Sequence, residues 1–401
     1  MNCYFDKNDS LNLSNIDQIR SVRKYDELLF RISHKKLIPI VTTNYSSPGV
    51  YIIEVSKHSH LWCADNFPNS FKILENIPSH VISAAQKKIL RIVIISIIEG
   101  DSFNSTCDCF DFLHKSFQQL NLPRKGVLII SGNLRAQQQY ETWCRNKLLN
   151  PLLEFIEGIE WFGEHWKKQY EPIFYNSIKN HSKFFNSLNR AHRTHRTDHL
   201  YFLAKNELLN KGMISGGALF KENLFLMDPT FISEDPESFK QVLNNNYPLS
   251  IDIPIHKVAE SHLAGISNLD IFQNTLLTVS TETFFDDPGL FITEKTFRPI
   301  AIGHPFIILG QFGILKKLQS YGFRTDFIDT SYDDIEDNKK RFAKFHESFL
   351  NWINDEDKEK YFKKWIDIVE HNLYTYKRLN FRKQYLDKII STTEEYFKES
   401  F

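Results

Sequence analysis

Three stretches of this chain carry charged residues in places that packing alone does not explain. The first is NRAHRTHRTD, residues 189–198, in which Arg190, Arg193 and Arg196 recur at three-residue spacing. It follows a strand-like run, Lys183–Leu188, and precedes an amphipathic helical pattern over His199–Leu209, so the arginines fall between a strand and a helix. A guanidinium fork bridges phosphate oxygens, and cations at a helix N-terminus oppose the macrodipole unless an anion is bound there. His192 and His195 lack a metal-ligand partner pattern and read as hydrogen-bonding residues of the same loop. The second stretch is Thr293-Glu294-Lys295, at the start of a short helix that Gly303 should end, with Glu282 placed 11 positions before Thr293. Thr293 suits the N-cap and Gly303 the C-cap. Lys295 can meet a phosphate and the two carboxylates can meet ligand hydroxyls, whereas a surface ion pair is the alternative for Glu294 and Lys295. The third is Glu99-Gly100-Asp101, directly after the apolar run Ile89–Ile98. A carboxylate at the C-terminal edge of a strand can serve as a general base, and a solvated turn is the plain alternative.

The elements that must position these residues alternate in kind. Leu37–Thr42, Val50–Val55, Ile89–Ile98 and Gly126–Ser131 read as strands, and Cys109–Leu120 and Ala136–Leu149 as helices. Ile89–Ile98 is unbroken except at Arg91, as expected of a central parallel strand buried on both faces. Strand, polar loop and helix repeat, which predicts a doubly wound sheet. Composition shifts near residues 150–185, where Trp161 and Trp166 read as core or as a stacking surface. Beyond it the pattern predicts strands at Lys183–Leu188, Asn223–Met227 and Leu276–Ser280, and a helix from Ser233 as N-cap. The stretch Leu290–Phe327 reads as helix, buried strand, helix, strand, with Pro299 inside the first helix. From Asp334 to Tyr396 the chain becomes long charged helices. The fold class expected is α/β.

At 401 residues two domains fit better than one core. Lysine plus arginine equals aspartate plus glutamate, 49 against 49, so there is no broad electrostatic footprint for nucleic acid, which is disfavoured but stays open. Five cysteines without framework spacing and a polar start to the chain predict a cytoplasmic protein with no transmembrane segment, while peripheral membrane contact stays open. Cys107-Asp108-Cys109 lacks the second pair a zinc site needs, and Asp286-Asp287 and Asp333-Asp334 read as caps, so no metal site is expected. The absence of GxGxxG and GxxxxGK[ST] patterns argues against dinucleotide and P-loop chemistry. His58 and His60 read as surface residues, and Asn133 as either a turn residue or a ligand.

The order of the arginine cluster, Glu282 and Thr293-Glu294-Lys295 resembles the donor-binding half of fucosyltransferase-like glycosyltransferases, over residues 184–333. That resemblance implies a GT-B architecture of two Rossmann-like domains facing a cleft. It implies an N-terminal acceptor-side domain over 1–178, a nucleotide-sugar-binding domain over 179–375, and a helix over 376–401 returning to the first. It implies inverting, metal-independent transfer from a nucleotide diphosphate sugar, with a GDP-sugar such as GDP-fucose favoured, to a hydroxyl of a glycan or another acceptor. No cofactor beyond the donor substrate is expected. On this pattern Arg196 matches the phosphate-binding arginine best and Arg193 next, Glu99 is the base with Asp101 as alternative, and Arg190, Glu282, Thr293, Glu294 and Lys295 complete the donor site. The chain departs from the family in a longer 284–290 loop that lacks a tyrosine before Thr293. A non-catalytic nucleotide-sugar binder, or another two-domain α/β enzyme acting on phosphorylated ligands, are the other classes the sequence admits.

Overall fold

The computed structural model describes residues 2–5, 38–41, 47–54, 77–96, 109–158, 163, 181–189, 192–216, 228–246, 249 and 269–399. The chain forms two compact units. One comprises 1–164, 287–291 and 380–401, and the other 165–286 and 292–379.

In the first unit β1 (Asn2–Phe5), β2 (Ile38–Val41), β3 (Gly49–Glu54), β4 (Leu90–Ser96), β5 (Val127–Ser131) and β6 (Glu154–Glu157) form a parallel sheet in the order β2-β1-β3-β4-β5-β6. The runs VYII, RIVII and VLII supply branched residues to both faces, and the two-residue period of a strand sorts them. Tyr51, Ile53, Ile92, Ile94, Val127 and Ile129 face one side, against α1 (Ser79–Gln86), α2 (Cys109–Gln119) and α3 (Ala136–Asn146). Val50, Ile52, Val93, Ile95, Leu128 and Ile130 face the other, covered by Tyr385, Leu386, Ile389 and Ile390 of the C-terminal helix Phe381–Lys398.

Arg91, the charge in the middle of this apolar run, is fully buried. Its Nε donates to the Lys125 carbonyl at 3.0 Å and its Nη1 to Thr393 Oγ1 at 3.3 Å. Nη2 pairs with Glu154, and the guanidinium stands 5.1 Å from the centre of the Tyr396 ring. A buried charge needs partners of this kind, and here the C-terminal helix supplies two of them.

In the second unit β7 (Lys183–Leu188), β8 (Gly212–Ser215), β9 (Thr275–Thr281) and β10 (Phe306–Leu309) form a parallel sheet in the order β10-β9-β7-β8. Read from β8, the described strands run second, first, third, fourth in chain order, the same winding with which the described strands of the first sheet begin. Its helices of seven residues or more, among the described residues, are α4 (Thr194–Lys205), α5 (Pro236–Asn245), α6 (Glu294–Ile302), α7 (Ile314–Ser320), α8 (Asn338–Asn354) and α9 (Lys358–Arg378), while the helix Phe381–Lys398, α10, belongs to the first unit. The protein is thus α/β, with two parallel sheets and a helical C-terminal region. Among the described residues no helix is long and apolar enough to cross a membrane.

Several elements differ from the sequence-based expectation. α4 begins at Thr194 rather than His199, because Arg193 is extended at φ −154° and the turn that follows is buried. α5 is capped by Asp235, whose carboxylate accepts from Ser238 N at 2.9 Å, and Pro236 takes the first helical position rather than Ser233 the cap. Residues 323–327 form no strand. Arg324 instead gives its N–H to Asn372 Oδ1 at 2.7 Å and takes Nδ2 at its carbonyl at 2.8 Å, so one side chain of α9 replaces a neighbouring strand. β8 was not expected, and the run Asn223–Met227 lies outside the described residues.

Candidate functional site

From β7 the chain winds outward to β8, then returns across β7 to β9 and continues to β10. A parallel sheet that reverses in this way leaves a crevice beyond the carboxyl ends of the two strands at the reversal, here β7 and β9. The residues that end those strands are polar and buried. Asn189 donates from its backbone to Ser215 Oγ at 3.0 Å and from Nδ2 to Ser187 Oγ at 3.1 Å, and it accepts from Thr281 Oγ1 at 2.6 Å.

Glu282 follows β9 with no exposed surface. Its Oε1 accepts from Thr293 N at 3.1 Å and Thr296 Oγ1 at 2.6 Å, and its Oε2 from Thr293 Oγ1 at 2.6 Å and Thr283 N at 3.3 Å. A carboxylate offers about four lone-pair positions, and all are taken. The role expected for Glu282 toward ligand hydroxyls therefore gives way to an internal one: it is the anion at the N-terminus of α6, which the helix dipole favours.

Thr293 caps α6 as expected, and its Oγ1 accepts from Lys295 N at 3.3 Å. Gly303 ends the helix at φ 70°. Pro299 has no N–H for the carbonyl of Lys295 four residues earlier, and Ser280 Oγ donates to that carbonyl at 2.9 Å instead. Lys295 Nζ reaches Glu294 Oε1 at 2.9 Å, Thr293 Oγ1 at 3.2 Å and Thr283 Oγ1 at 3.3 Å. The Glu294–Lys295 ion pair is therefore formed, with both side chains partly exposed. Burial works against the Glu294 charge, but the Lys295 ammonium and its hydrogen bond, with the Glu294 backbone N–H and Arg298, together outweigh it and hold the carboxyl below its ordinary range.

Across from α6 stands the N-terminus of α4. Arg196 is buried, and its Nη2 donates to the carbonyls of Thr281 at 3.0 Å and Glu282 at 2.8 Å. Burial, with Arg193 nearby, lowers its guanidinium to about 10, against the opposing pull of Glu282 and Glu294. His195 lies beside it with Nε2 2.9 Å from the Glu282 carbonyl, so Nε2 carries the proton, and its ring stacks on Phe285. Burial keeps this imidazole neutral, and Arg196, Arg193 and Lys295 all push the same way. His195 and Arg196 share the Glu282 carbonyl, and Lys295 Nζ bonds the hydroxyl of Thr283, the next residue. Arg193 is exposed and is bonded through Nη1 to the carbonyl of His192 at 3.0 Å.

No family model matches this chain, and no curated protein shows significant similarity to it. Its site is read from its own geometry. The structure brings Arg193, Arg196, Glu282, Thr293, Glu294 and Lys295 together at the reversal of the second sheet. Of these, Arg193, Lys295 and Glu294 keep exposed surface, whereas Arg196, Glu282 and Thr293 build the floor. Arg190, Glu99 and Asp101 lie outside the described residues, as do His58, His60, Trp161 and Trp166. Asp287 caps no helix: its Oδ1 accepts from Gly289 N at 2.6 Å and closes a turn of its own loop, whereas Asp333 Oδ2 accepts from Lys316 N, in the first turn of α7, at 3.0 Å.

Sequence reasoning missed Arg341. From α8 it donates to five acceptors, among them the Phe285 carbonyl at 2.7 Å and the Gly310 carbonyl at 3.3 Å, and it stands 4.5 Å from the Phe285 ring centre. It thereby fixes the loop that leaves Glu282. Nothing in NKKRFAKF separates this arginine from the neighbouring lysines, because the acceptors that tie it to the site, Phe285 and Gly310, lie 56 and 31 positions away. Asn133, for which the sequence admits a turn residue or a ligand, sits in the loop after β5. It is buried, and its Oδ1 accepts from Arg135 N at 3.0 Å and from Leu290 N at 3.1 Å.

Proposed function

We propose that the second unit binds the diphosphate of a nucleotide sugar and that the protein is a GT-B glycosyltransferase. The observation that carries this reading is that Arg196 donates to the Glu282 carbonyl and Lys295 to Thr283, the next residue, while the exposed Arg193 begins the helix that carries Arg196, all at the reversal of a parallel sheet, where such sheets take phosphorylated ligands. Arg193 and Lys295 bind the phosphates and stabilise the charge that builds on the departing nucleoside diphosphate, which is what a transferase without a metal asks of its cations. Lys295 does so by exchanging its internal partners Thr283 and Thr293 for phosphate oxygens. Glu294, next to it, takes hydroxyls of the ribose or the sugar.

The acceptor hydroxyl loses its proton to a carboxylate of the first unit, Glu99 or Asp101, and attack opposite the leaving group inverts the anomeric centre. The resemblance over residues 184–333 favours a GDP-sugar such as GDP-fucose and a glycan or other hydroxyl-bearing acceptor. It also underlies the arrangement of the two units as facing domains. Their shared strand order, second-first-third-fourth, supports two units of one winding type.

The test is thermal stabilisation by a panel of nucleoside diphosphates, with and without Mg²⁺, for the wild type, Arg193→Ala and Lys295→Ala. Binding to the native state alone raises the melting point by mass action. Stabilisation by one diphosphate that both variants diminish supports the donor site, and its base names the class of donor to test for turnover. A melting point that no diphosphate moves removes the basis of the proposal.

A further inference from the structure

β9 leaves its sheet through two consecutive residues, Thr281 and Glu282, and between them they hold both cationic elements of the candidate site. The carbonyls of both accept from Arg196 Nη2, at 3.0 and 2.8 Å, and the Glu282 carbonyl also accepts from His195 Nε2 at 2.9 Å. These bonds fix the first turn of α4, in which Arg196 and Thr197 each give their N–H to the carbonyl of Arg193 at 3.0 Å. The Glu282 carboxylate fixes the first turn of α6 through Thr293 and Thr296. Where residues 281 and 282 stand therefore decides where Arg193 and Lys295 stand.

The end of β9 is held differently on its two sides. β10 pairs with it to the last residue, Leu309↔Thr281, and Glu282 N donates to the Leu309 carbonyl at 3.0 Å. The ladder with β7 ends earlier, at Ser187↔Val279, on the side of the reversal. Beyond it the Asn189 side chain takes over from the backbone. Its Oδ1 accepts from Thr281 Oγ1 at 2.6 Å, and its Nδ2 donates to Ser187 Oγ at 3.1 Å. Its own N–H donates to Ser215 Oγ, at the end of β8, at 3.0 Å. One residue thus joins the ends of three neighbouring strands, β8, β7 and β9, beside the crevice of the reversal. Ser187, Asn189 and Thr281 are all buried, so a donor lost here leaves a carbonyl that water does not reach.

We propose that Asn189 is a positioning residue of the candidate anion site: through Thr281 it sets the end of β9, and with it the placement of Arg193 and Lys295 together. Asn189 touches no ligand in this role, and every residue through which it acts belongs to the second unit. The assignment of the site to a diphosphate rests on the function proposed above, but the positioning itself does not.

Two measurements on the full chain keep these apart. The first is hydrogen exchange without ligand at the amides of Arg196 and Thr197 in α4 and of Thr293 and Thr296 at the start of α6. Thr281→Val keeps the volume and removes the hydroxyl that bonds Asn189, and it should speed exchange about tenfold in both groups, as when a buried carbonyl loses its donor. Thr281→Ser keeps the hydroxyl and should stay within about twofold of the wild type. The second is titration with inorganic pyrophosphate and with GDP, in which Thr281→Val should bind about tenfold more weakly and Thr281→Ser nearly as the wild type. If Thr281→Val fails to fold, Ser187→Ala takes one acceptor from the Asn189 amide and leaves it the Ser187 carbonyl at 3.4 Å. It should move both readouts in the same direction by about threefold. Unaltered exchange at either group of amides, in the variant that folds, overturns the proposal. So does unaltered affinity in a protein whose wild type binds, since a merely structural Asn189 would lower the melting point and leave binding alone. Equal effects of Thr281→Val and Thr281→Ser also overturn it, because the hydroxyl is then not the link. Failure of wild-type binding overturns the diphosphate reading alone, and the exchange result then decides the positioning role.

Discussion

The buried carboxylate of Glu282 organises this site more than its exposed cations do. Four donors of the protein converge on it, two of them threonine hydroxyls of the TEKT turn. A hydrogen bond to a charged group contributes about 1.5–3 kcal/mol, and its loss inside the protein leaves the partner unsatisfied. Thr296→Val keeps the shape and removes one donor, so it should lower the unfolding free energy by about 2 kcal/mol in urea titration. Lys295→Met, whose ammonium is part-exposed, should cost less than about 1 kcal/mol. If the two costs are equal, Glu282 is not the anchor described. The arginines divide the same way. Arg193→Ala should leave the melting point of the ligand-free protein nearly unchanged, because its only cap is backbone geometry. Arg196→Ala removes the group that holds two carbonyls at the end of β9, and it should lower the melting point whether or not a ligand is present. Of the two, Arg193 is thus the variant that reports on binding.

At the scale of elements, α6 shows how a helix with an interior proline is tolerated. Pro299 is buried and leaves the Lys295 carbonyl without its usual donor, and Ser280, on the adjacent strand β9, supplies one. Ser280→Ala should therefore cost about 1–2 kcal/mol in the wild type and clearly less in a Pro299→Ala background, where residue 299 has its own N–H. Additive costs in that double-mutant cycle would count against the exchange of donors. The sequence announced α6 itself, through Thr293 and Gly303, because both caps are local. It announced β4 and β5 for the same reason, since a branched apolar run needs no distant partner to be recognised. Arg91 looked like a flaw in β4, and its explanation lies at Thr393 and Tyr396, 302 and 305 positions away. The sequence pattern places the first turn of α4 in a loop because cations at a helix start are unfavourable in isolation. In the fold Arg196 and His195 are held by carbonyls at the end of β9, a contact no local pattern records. The residues of the site were legible by type, but the division between floor and exposed surface was not, since burial at 196 and 282 depends on where β9 ends.

At the scale of the whole molecule the two units should respond differently to acid, and the difference comes from buried imidazoles in the second. His346 Nδ1 lies 2.8 Å from the Phe342 carbonyl and must donate, so its Nε2 accepts from His199 Nδ1 at 2.9 Å, and both rings are neutral. Burial brings His346 down to about 3 and His304 to about 4, while His195 and His199 are lowered well below the ordinary value by the same cause. These folded-state values lie below the unfolded one, so the unfolded chain binds protons first as pH falls below about 6.5, and stability is lost from there down to the folded values. By pH 5, His304 and His346 should each have cost about 2 kcal/mol, with His195 and His199 adding in the same direction. Asp198 works the other way: burial raises its carboxyl to about 6 despite the Phe231 and Thr230 amides, so protonation in the native state contributes about 1 kcal/mol by pH 5. The histidines outweigh it, against a total stability on the order of 5–15 kcal/mol for a domain. Among the described residues of the first unit the histidine lowered by burial is His114, which accepts at Nδ1 from the Tyr140 hydroxyl at 2.9 Å. Hydrogen exchange followed from pH 7 to pH 5 should therefore show the sheet β10-β9-β7-β8 losing protection while β4 and β5 keep theirs. His346→Leu should shift the loss in the second unit to lower pH by removing one proton site. Loss of protection in both sheets at the same pH would mean that the two units unfold as one and that these imidazoles do not set the order.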